Sequence, residues 1–172
     1  MKRIQGELID FRNTLNPQLT DIVLARFAGL FIGEGNIHLV SWKGSFSWRV
    51  TIAMTHADDI MADLKRLFGG TVTEIYDGNP NHTPCLYWKT SNRKAIAFLR
   101  AIFPFLEYKL KKEEAKIFIS SFEEYRQLSN GAGHRLPQRA ITIAKEAKNA
   151  IESYRSPRGR KQNETKKGGE TE

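Results

Sequence analysis

Residues 20–43 constrain the fold of this chain more than any other stretch, because their hydrophobic pattern changes abruptly within a few residues. The first part is mostly apolar, with Thr20 placed to cap a helix and Asp21 suited to the positive helix end. After Gly35, apolar and polar residues alternate as in a strand with one buried face. The sequence therefore predicts a helix that ends at Glu34 and a strand that leaves directly from it.

The predicted helix has two faces of different bulk. One carries large apolar residues suited to a core. The other carries mostly small residues, at spacings that let a second helix backbone approach closely. The stretch is too short and too interrupted by charge to cross a membrane, so the small face indicates packing against another helix. Its residues are Ala25, Ala28, Gly29, Ile32 and Gly33.

The sequence FAGLFIGEG, residues 27–35, resembles the signature helix of the LAGLIDADG homing endonucleases. Phe27 stands where the motif has its first leucine, Ile32 where it has its first acid, and Glu34 where it has its terminal, metal-binding acid. The resemblance implies that two such helices pack together and that each places its acid in a DNA-cleavage site. The sequence holds one copy of the motif, so the resemblance implies a homodimer.

The order of elements predicted for the rest of the sequence agrees with this resemblance. A hairpin follows the first helix, and a helix capped by Asp58 or Asp59 leads to a second hairpin. Two more helices run to about residue 126. The predicted fold is α+β with the order αββαββα, a concave antiparallel sheet and an additional C-terminal helix.

We divide the sequence into three parts. Residues 1–127 form the LAGLIDADG-like endonuclease domain, residues 128–155 a linker and C-terminal helix, and residues 156–172 a basic tail too poor in apolar residues to fold. The net charge of +8 and the single cysteine favour a polyanionic partner and a reducing compartment. No secretion signal or membrane span is recognisable, so we expect an intracellular protein without a membrane partner.

Glu34 is the first catalytic candidate. A carboxylate at a helix C-terminus opposes the helix dipole, so its position argues for a function. Phosphodiester hydrolysis needs charge stabilisation and an activated water, and Mg²⁺ supplies both when carboxylate and backbone oxygens hold it. We therefore assign Glu34 and the backbone of Gly33 to a Mg²⁺ site. Two copies of Glu34 in a homodimer would serve two scissile phosphates.

Two further catalytic candidates come from the resemblance. Lys109 lies in a segment that resembles the family segment bearing an active-site lysine, with Lys111 and Lys112 as neighbouring alternatives. His56 follows the second strand, where the family often has a polar residue that orders water. The ordinary alternatives are a solvated basic helix start and a surface or capping histidine. We find no phosphate loop and no nucleophile motif, so no small-molecule substrate is expected.

The polar faces of the two predicted hairpins are the candidate DNA-binding surface. A β-ribbon fits the major groove, where base edges are distinguishable, and an arginine there can bond guanine in bidentate fashion. The alternative interpretation is an ordinary solvated sheet face. The predicted DNA-binding residues are His38, Trp42, Ser47, Arg49, Thr51 and Thr55 on the first hairpin, and Thr73, Tyr87 and Lys89 on the second.

These observations predict a homodimeric, Mg²⁺-dependent endonuclease that cleaves a long pseudo-palindromic site in double-stranded DNA, as in intron homing. The alternative keeps the fold without cleavage, as a DNA-binding regulator or an RNA-binding intron maturase. The acid at Glu34 favours the nuclease. A small basic structural protein with an accidental motif is not expected to have the αββαββ order.

Overall fold

The structure, a computed structural model, describes residues 19–42, 44–76, 83–129 and 136–155. The first helix and strand follow the prediction: α1 spans Asp21–Glu34 and β1 spans Gly35–Trp42. The predicted basic tail, residues 156–172, lies outside the described residues. The further elements are β2 (Ser45–Met54), α2 (Asp58–Phe68), β3 (Thr71–Ile75), β4 (Cys85–Ser91), α3 (Arg93–Ile102), a 3₁₀ turn (Phe103–Phe105), α4 (Lys109–Leu128) and α5 (Gln138–Arg155). The predicted α+β fold and its element order are confirmed.

The starts of two helices test the capping predictions. Thr20 caps α1 as predicted, because its Oγ1 accepts a hydrogen bond from the amide of Val23 at 3.4 Å. The predicted cap of α2 is wrong, since Ala57 occupies the N-cap position and Asp58 and Asp59 are the first two helical residues. Both carboxylates still favour the helix, because the dipole is positive in its first turn.

The four strands form one antiparallel sheet in the order β1-β2-β4-β3. The register pairs Gly35 with Ile52 in β1 and β2, and Arg49 with Ser91 in β2 and β4. Helices α1–α5 contact the sheet, and every second strand residue points toward the helices into the core. The remaining strand residues form the opposite face, which we call the open face.

The core between α1 and the other helices is built from aromatic rings. Phe27 packs edge-to-face on Phe68, and Phe31 packs edge-to-face on Phe98. Phe68 and Phe98 also contact each other, with ring centroids 4.9 Å apart. Edge-to-face geometry is favoured because it brings the positive ring edge to the negative ring face. These contacts fix α1 over the start of the sheet.

The C-terminal helix α5 packs along α4 and adds Ala144, Ala147 and Ile151 to the same core. The segment predicted as linker and C-terminal helix therefore lies against the predicted endonuclease domain. Of the helices in the described part of the chain, none is long and apolar enough to cross a bilayer.

Trp48 connects the sheet to two helices. Its indole Nε1 donates to Ser121 Oγ of α4 at 3.1 Å, in the buried core. Its backbone amide donates to Asn92 Oδ1 at 3.1 Å, and its carbonyl accepts from the Asn92 amide at 2.6 Å. Asn92 has a φ of 52°, a left-handed conformation in which asparagine is enriched. The turn from β4 into α3 is thus tied to the central strand.

Replacing Ser121 with alanine should lower the free energy of unfolding by about 1–3 kcal/mol, because the buried Trp48 indole N–H would lose its acceptor. Urea denaturation measures this value. The matched control is Ser120→Ala, because Ser120 is exposed on the same helix and its hydroxyl donates to the carbonyl of Ile117. The control should change stability by less than about 0.5 kcal/mol. Equal losses in both variants would contradict a stabilising role for the Trp48 hydrogen bond.

Candidate functional site

The junction between α1 and β1 carries an exposed carboxylate. Glu34 is the last residue of α1, and β1 begins at the next residue. Glycine is required at position 35, because a Cβ there would overlap the ring and the carbonyl of Phe31. The Gly35 amide donates to that same carbonyl. This close approach fixes the direction in which the strand leaves Glu34.

A lysine side chain from α4 reaches this junction. Lys111 Nζ donates to the carbonyl oxygen of Gly35 at 2.6 Å and lies 5.4 Å from the centroid of the Phe31 ring. The Lys111 side chain is 18% exposed. The predicted candidate Lys109 is exposed at the first residue of α4. The structure therefore brings Lys111, one of the neighbouring alternatives, to the carbonyl of Gly35, the residue that follows the acid of the signature helix.

A second carboxylate lies beside this lysine and was missed by the sequence analysis. Glu114 is 4% exposed, and its Oε2 lies 3.9 Å from Lys111 Nζ. The two residues are three positions apart on α4, a spacing that places side chains on the same helix face. That spacing was readable in the sequence. The burial of the carboxylate was not, because it depends on how distant segments pack around α4.

The junction opens into a cleft of about 380 Å³. Side chains from the N-terminal end of α4 and from α5 surround it together with α1 and β1, so three helices and one strand contribute to it. The cleft combines two carboxylates, one ammonium group and two tyrosines. Its lining residues are Gly33, Glu34, Gly35, Asn36, Tyr108, Leu110, Lys111, Glu114 and Tyr154.

Oxygen donors at the helix end suit a hard cation. Glu34 offers a carboxylate that is exposed, and Gly33 offers a backbone carbonyl. In the described residues, no group of three or more His, Cys, Asp and Glu side chains is arranged to hold a metal ion. Mg²⁺ commonly takes only one or two carboxylates, together with substrate phosphates and water. The donors present therefore fit a Mg²⁺ site that is completed from outside the single chain.

His56 and Thr55 lie in the bend between β2 and α2. Both are exposed, and His56 has a φ of 51°. Because Gly35 pairs with Ile52, this bend lies at the same end of the sheet as Glu34. A catalytic role for His56 stays a prediction. Thr55 lies one residue beyond β2, so its assignment to the open face stays a prediction as well.

The other predicted DNA-binding residues lie on the open face of the sheet. Because side chains alternate between faces, the register places all of them on this one surface. His38 Nε2 lies 3.2 Å from Thr51 Oγ1, which joins β1 to β2 on this face. At the end of β1, Trp42 is 72% exposed. The predicted residues on the open face are His38, Trp42, Ser47, Arg49, Thr51, Thr73, Tyr87 and Lys89.

The charge of the open face has one sign. Of the strand residues described, those on this face include Arg49 and Lys89 but no aspartate or glutamate. The Nε of Arg49 is buried and has no hydrogen-bond partner among the described residues. Asn36 and Ser91 share the face and were not selected from the sequence. The alternation of β1 could have identified Asn36, whereas Ser91 required the register of β4.

One face of α1 is exposed in the single chain. Ala25, Gly29 and Gly33 are exposed, and a Cβ built at either glycine meets no atom within 4 Å. Ile22, on the same face, is 83% exposed, which is unusual for a large apolar side chain. Residues 22, 25, 29 and 33 follow helical spacing, so they form one continuous stripe. We call it the small-residue stripe.

Two residues predicted for the helix-packing face, Ala28 and Ile32, lie outside the small-residue stripe. Ala28 is fully buried in the chain's own core, so its assignment to the helix-packing face is wrong. Each helical residue turns by about 100° from the previous one, which carries Ala28 from the stripe to the core side. Ile32 is half-buried and packs against the core, so it lies at the border of the stripe.

Comparison with solved structures identifies the fold as that of the LAGLIDADG homing endonucleases. The LAGLIDADG meganuclease I-AabMI bound to uncleaved DNA matches with a TM-score of 0.57 and 10% identity, over 74% of this chain and 44% of that chain. Such low identity establishes the fold alone.

Two smaller endonucleases match over most of both chains. The homing endonuclease I-CvuI, in complex with the I-CreI target, matches with a TM-score of 0.61 and 17% identity, over 83% of this chain and 86% of that chain. The archaeal intron-encoded homing endonuclease I-Vdi141I, complexed with DNA, matches with a TM-score of 0.60 and 17% identity, over 83% of this chain and 89% of that chain. No protein-family model and no curated protein matches the sequence. The chemistry is therefore argued from the residues of this chain.

Proposed function

We propose that the chain is a site-specific endonuclease that acts on double-stranded DNA as a homodimer and uses Mg²⁺. The observation that carries this proposal is that Glu34 and Lys111 line one cleft, with the Lys111 ammonium bonded to the carbonyl of the next residue, Gly35. This cleft lies at the end of a sheet whose open face has no acidic strand residue among those described. The net charge of +8 suits a polyanionic duplex. The fold neighbours solved with DNA support the same substrate class.

The residues at the junction have different proposed roles in hydrolysis. Bound Mg²⁺ supplies charge stabilisation at a phosphate oxygen and lowers the pKa of a bound water. Glu34 and the Gly33 carbonyl would hold it at the end of α1. Lys111 adds a fixed positive charge, which stabilises the negative charge that develops on the phosphate in the transition state. We expect His56, which is exposed at the same end of the sheet, to orient a water by accepting a hydrogen bond from it.

Replacing Glu34 with glutamine should separate binding from cleavage. The change keeps the size of the side chain and removes the charge that attracts the cation. Cleavage of a duplex selected from a randomised library should fall by about 10²-fold or more, a loss typical of removing one group that stabilises the transition state. Affinity for the same duplex should be kept, because the open face is unchanged. Glu146→Gln is the control, since Glu146 is exposed on α5.

Two outcomes of this experiment would change the assignment. A Glu34→Gln variant that cuts at the wild-type rate would remove Glu34 from the cleavage site. A wild-type protein that binds a defined duplex and never cuts it would favour the alternative, a DNA-binding regulator on the same fold. The cleavage rates of the wild type and of Glu34→Gln are each measured with Mg²⁺ and again with a chelator.

The open face is proposed to read the bases. Two adjacent antiparallel strands are narrow enough for the major groove. Arg49 lies on the central strand β2, between His38 of β1 and Ser91 of β4. Its Nε is buried, so the donors that can serve a base are the N–H groups of the two terminal guanidinium nitrogens. A guanine offers two acceptors, N7 and O6, to such a side chain.

Replacing Arg49 with alanine should relax the preference at one base position in each half-site, with a loss of discrimination of about 1–3 kcal/mol. Competition binding with duplexes that differ at one base pair measures the preference. Arg126→Ala is the control, because Arg126 is exposed on α4, outside the open face. An equal loss of affinity on every duplex would instead make Arg49 a phosphate contact.

The homodimer is proposed from the small-residue stripe. One chain supplies one Glu34, whereas two cuts in a duplex require two acids. The stripe has open space above Gly29 and Gly33, so the backbone of a second α1 can approach there. Contact would also cover Ile22, which is 83% exposed in the single chain. A twofold axis along the two stripes would bring both copies of Glu34 to the same end.

Replacing Gly29 with leucine should shift the dimer toward monomer, because the side chain would fill the space needed by the second helix. The variant should stay folded, since its Cβ meets no atom of its own chain within 4 Å. Sedimentation velocity measures association, and circular dichroism checks folding. Ala62→Leu is the control, because Ala62 is an exposed small residue on α2 and not a member of the small-residue stripe. A wild-type protein that is monomeric with and without DNA would refute the homodimer.

A further inference from the structure

We propose that Glu114 is a positioning residue for DNA cleavage, which holds the Lys111 ammonium group at the end of α1; this inference rests on the proposed endonuclease function. Glu114 and Lys111 lie on the same face of α4, with Glu114 Oε2 3.9 Å from Lys111 Nζ. Both line the cleft that contains Glu34. Glu114 itself is not expected to contact DNA, because only 4% of its surface is exposed.

The burial of Glu114 indicates a role for its charge. A carboxylate removed from water is costly unless cations and hydrogen-bond donors compensate for it. The ammonium of Lys111 is within ion-pair distance. A neutral side chain of similar shape would fill this space at lower cost. A glutamate at this position is therefore best explained by what its charge does to the lysine.

The contacts of Lys111 show what must be held in place. A lysine has a long, flexible stem, so its ammonium takes up one position only when several groups attract it. Here the Gly35 carbonyl accepts from Nζ at 2.6 Å, the Phe31 ring lies 5.4 Å away and the Glu114 carboxylate 3.9 Å away. Of these three groups, Glu114 alone carries a full charge, and it is attached to the same helix as the lysine.

Glu114 also decides which acid the lysine pairs with. The cleft holds two carboxylates and one ammonium, and Glu34 is exposed whereas Glu114 is buried. Attraction between charges is stronger at a buried site than at a hydrated one, because water screens the exposed pair. Lys111 is therefore drawn toward Glu114 and the Gly35 carbonyl. This leaves the Glu34 carboxylate available for a cation instead of neutralised by the lysine.

Acetylation of lysines in the full-length protein tests this arrangement without a DNA target. Sulfo-N-hydroxysuccinimide acetate is added, and the rate at each lysine is followed by mass spectrometry. In the wild type, Lys111 should react more slowly than the exposed Lys109 and Lys116 of the same helix. Glu114→Gln keeps the shape of the side chain but removes its charge. It should raise the Lys111 rate several-fold and leave both reference rates unchanged.

Two further variants separate charge from bulk. Glu114→Asp keeps the charge, so Lys111 should stay closer to the wild-type rate than in Glu114→Gln. Glu113→Gln makes the same chemical change at the neighbouring helix position and should have no effect on Lys111. An unchanged Lys111 rate in Glu114→Gln would overturn the proposal, because the carboxylate would then not hold the ammonium.

Cleavage kinetics on the selected duplex test the consequence for catalysis. Glu114→Gln should lower kcat with little change in KM, and a misplacement of about 1 Å is enough to cost about 10²-fold. Lys111→Met should lower kcat at least as much. The double variant should be no slower than Lys111→Met alone, because Glu114 acts through the lysine. Additive losses would overturn the proposal, and so would a Glu114→Gln variant with the wild-type kcat.

Failure of the proposed function is distinguishable from failure of this inference. A wild-type protein that cuts no duplex would contradict the endonuclease, whatever Glu114 does. The acetylation rates would still decide whether Glu114 holds Lys111. Conversely, a protein that cuts DNA but shows no coupling between the two side chains keeps its function and excludes Glu114 as a positioning residue.

Discussion

The architecture depends on the close packing of the Phe31 ring against the main chain of Gly35. The ring is fully buried and meets Phe98 in the core, so it anchors α1 over the sheet. The absence of a side chain at Gly35 lets β1 leave the helix without a connecting loop. The same ring lies under the Lys111 ammonium, which adds a cation–π contact. One side chain thus joins the core, the sheet and the candidate site.

The distribution of charge follows from how the sheet is covered. The helices occupy one face, so most large apolar strand residues are buried there and most polar ones lie on the open face. The strand residues of the open face carry cations but no acids in the part of the chain described. The acids Glu34 and Glu114 lie instead at its end, in the cleft beside α1. This arrangement separates a positively charged surface from the two carboxylates of the cleft.

The sequence predicts features with a period of two residues better than features with a helical period. Strand side chains alternate, so the predicted open-face residues of β1 and β2 were assigned correctly from the pattern alone. A helix turns by about 100° per residue, so an error of two positions moves a side chain to another face. The sequence therefore left Lys109, Lys111 and Lys112 as alternatives, and the structure shows that Lys111 reaches the junction. For the same reason Ala28, one position before Gly29, turns into the core. Glu114 was missed because its burial arises from contacts between distant segments.

The lysine at the junction is held by a main-chain atom, the carbonyl oxygen of Gly35. That oxygen is present whatever side chain occupies position 34. In the proposed endonuclease, a single substitution of the acid would therefore abolish cleavage and still leave a cation in place to bind a phosphate. For a lineage with this architecture, the step from a DNA-cutting enzyme to a protein that only binds its site is short. The return is equally short, because the positively charged partner of the acid is retained.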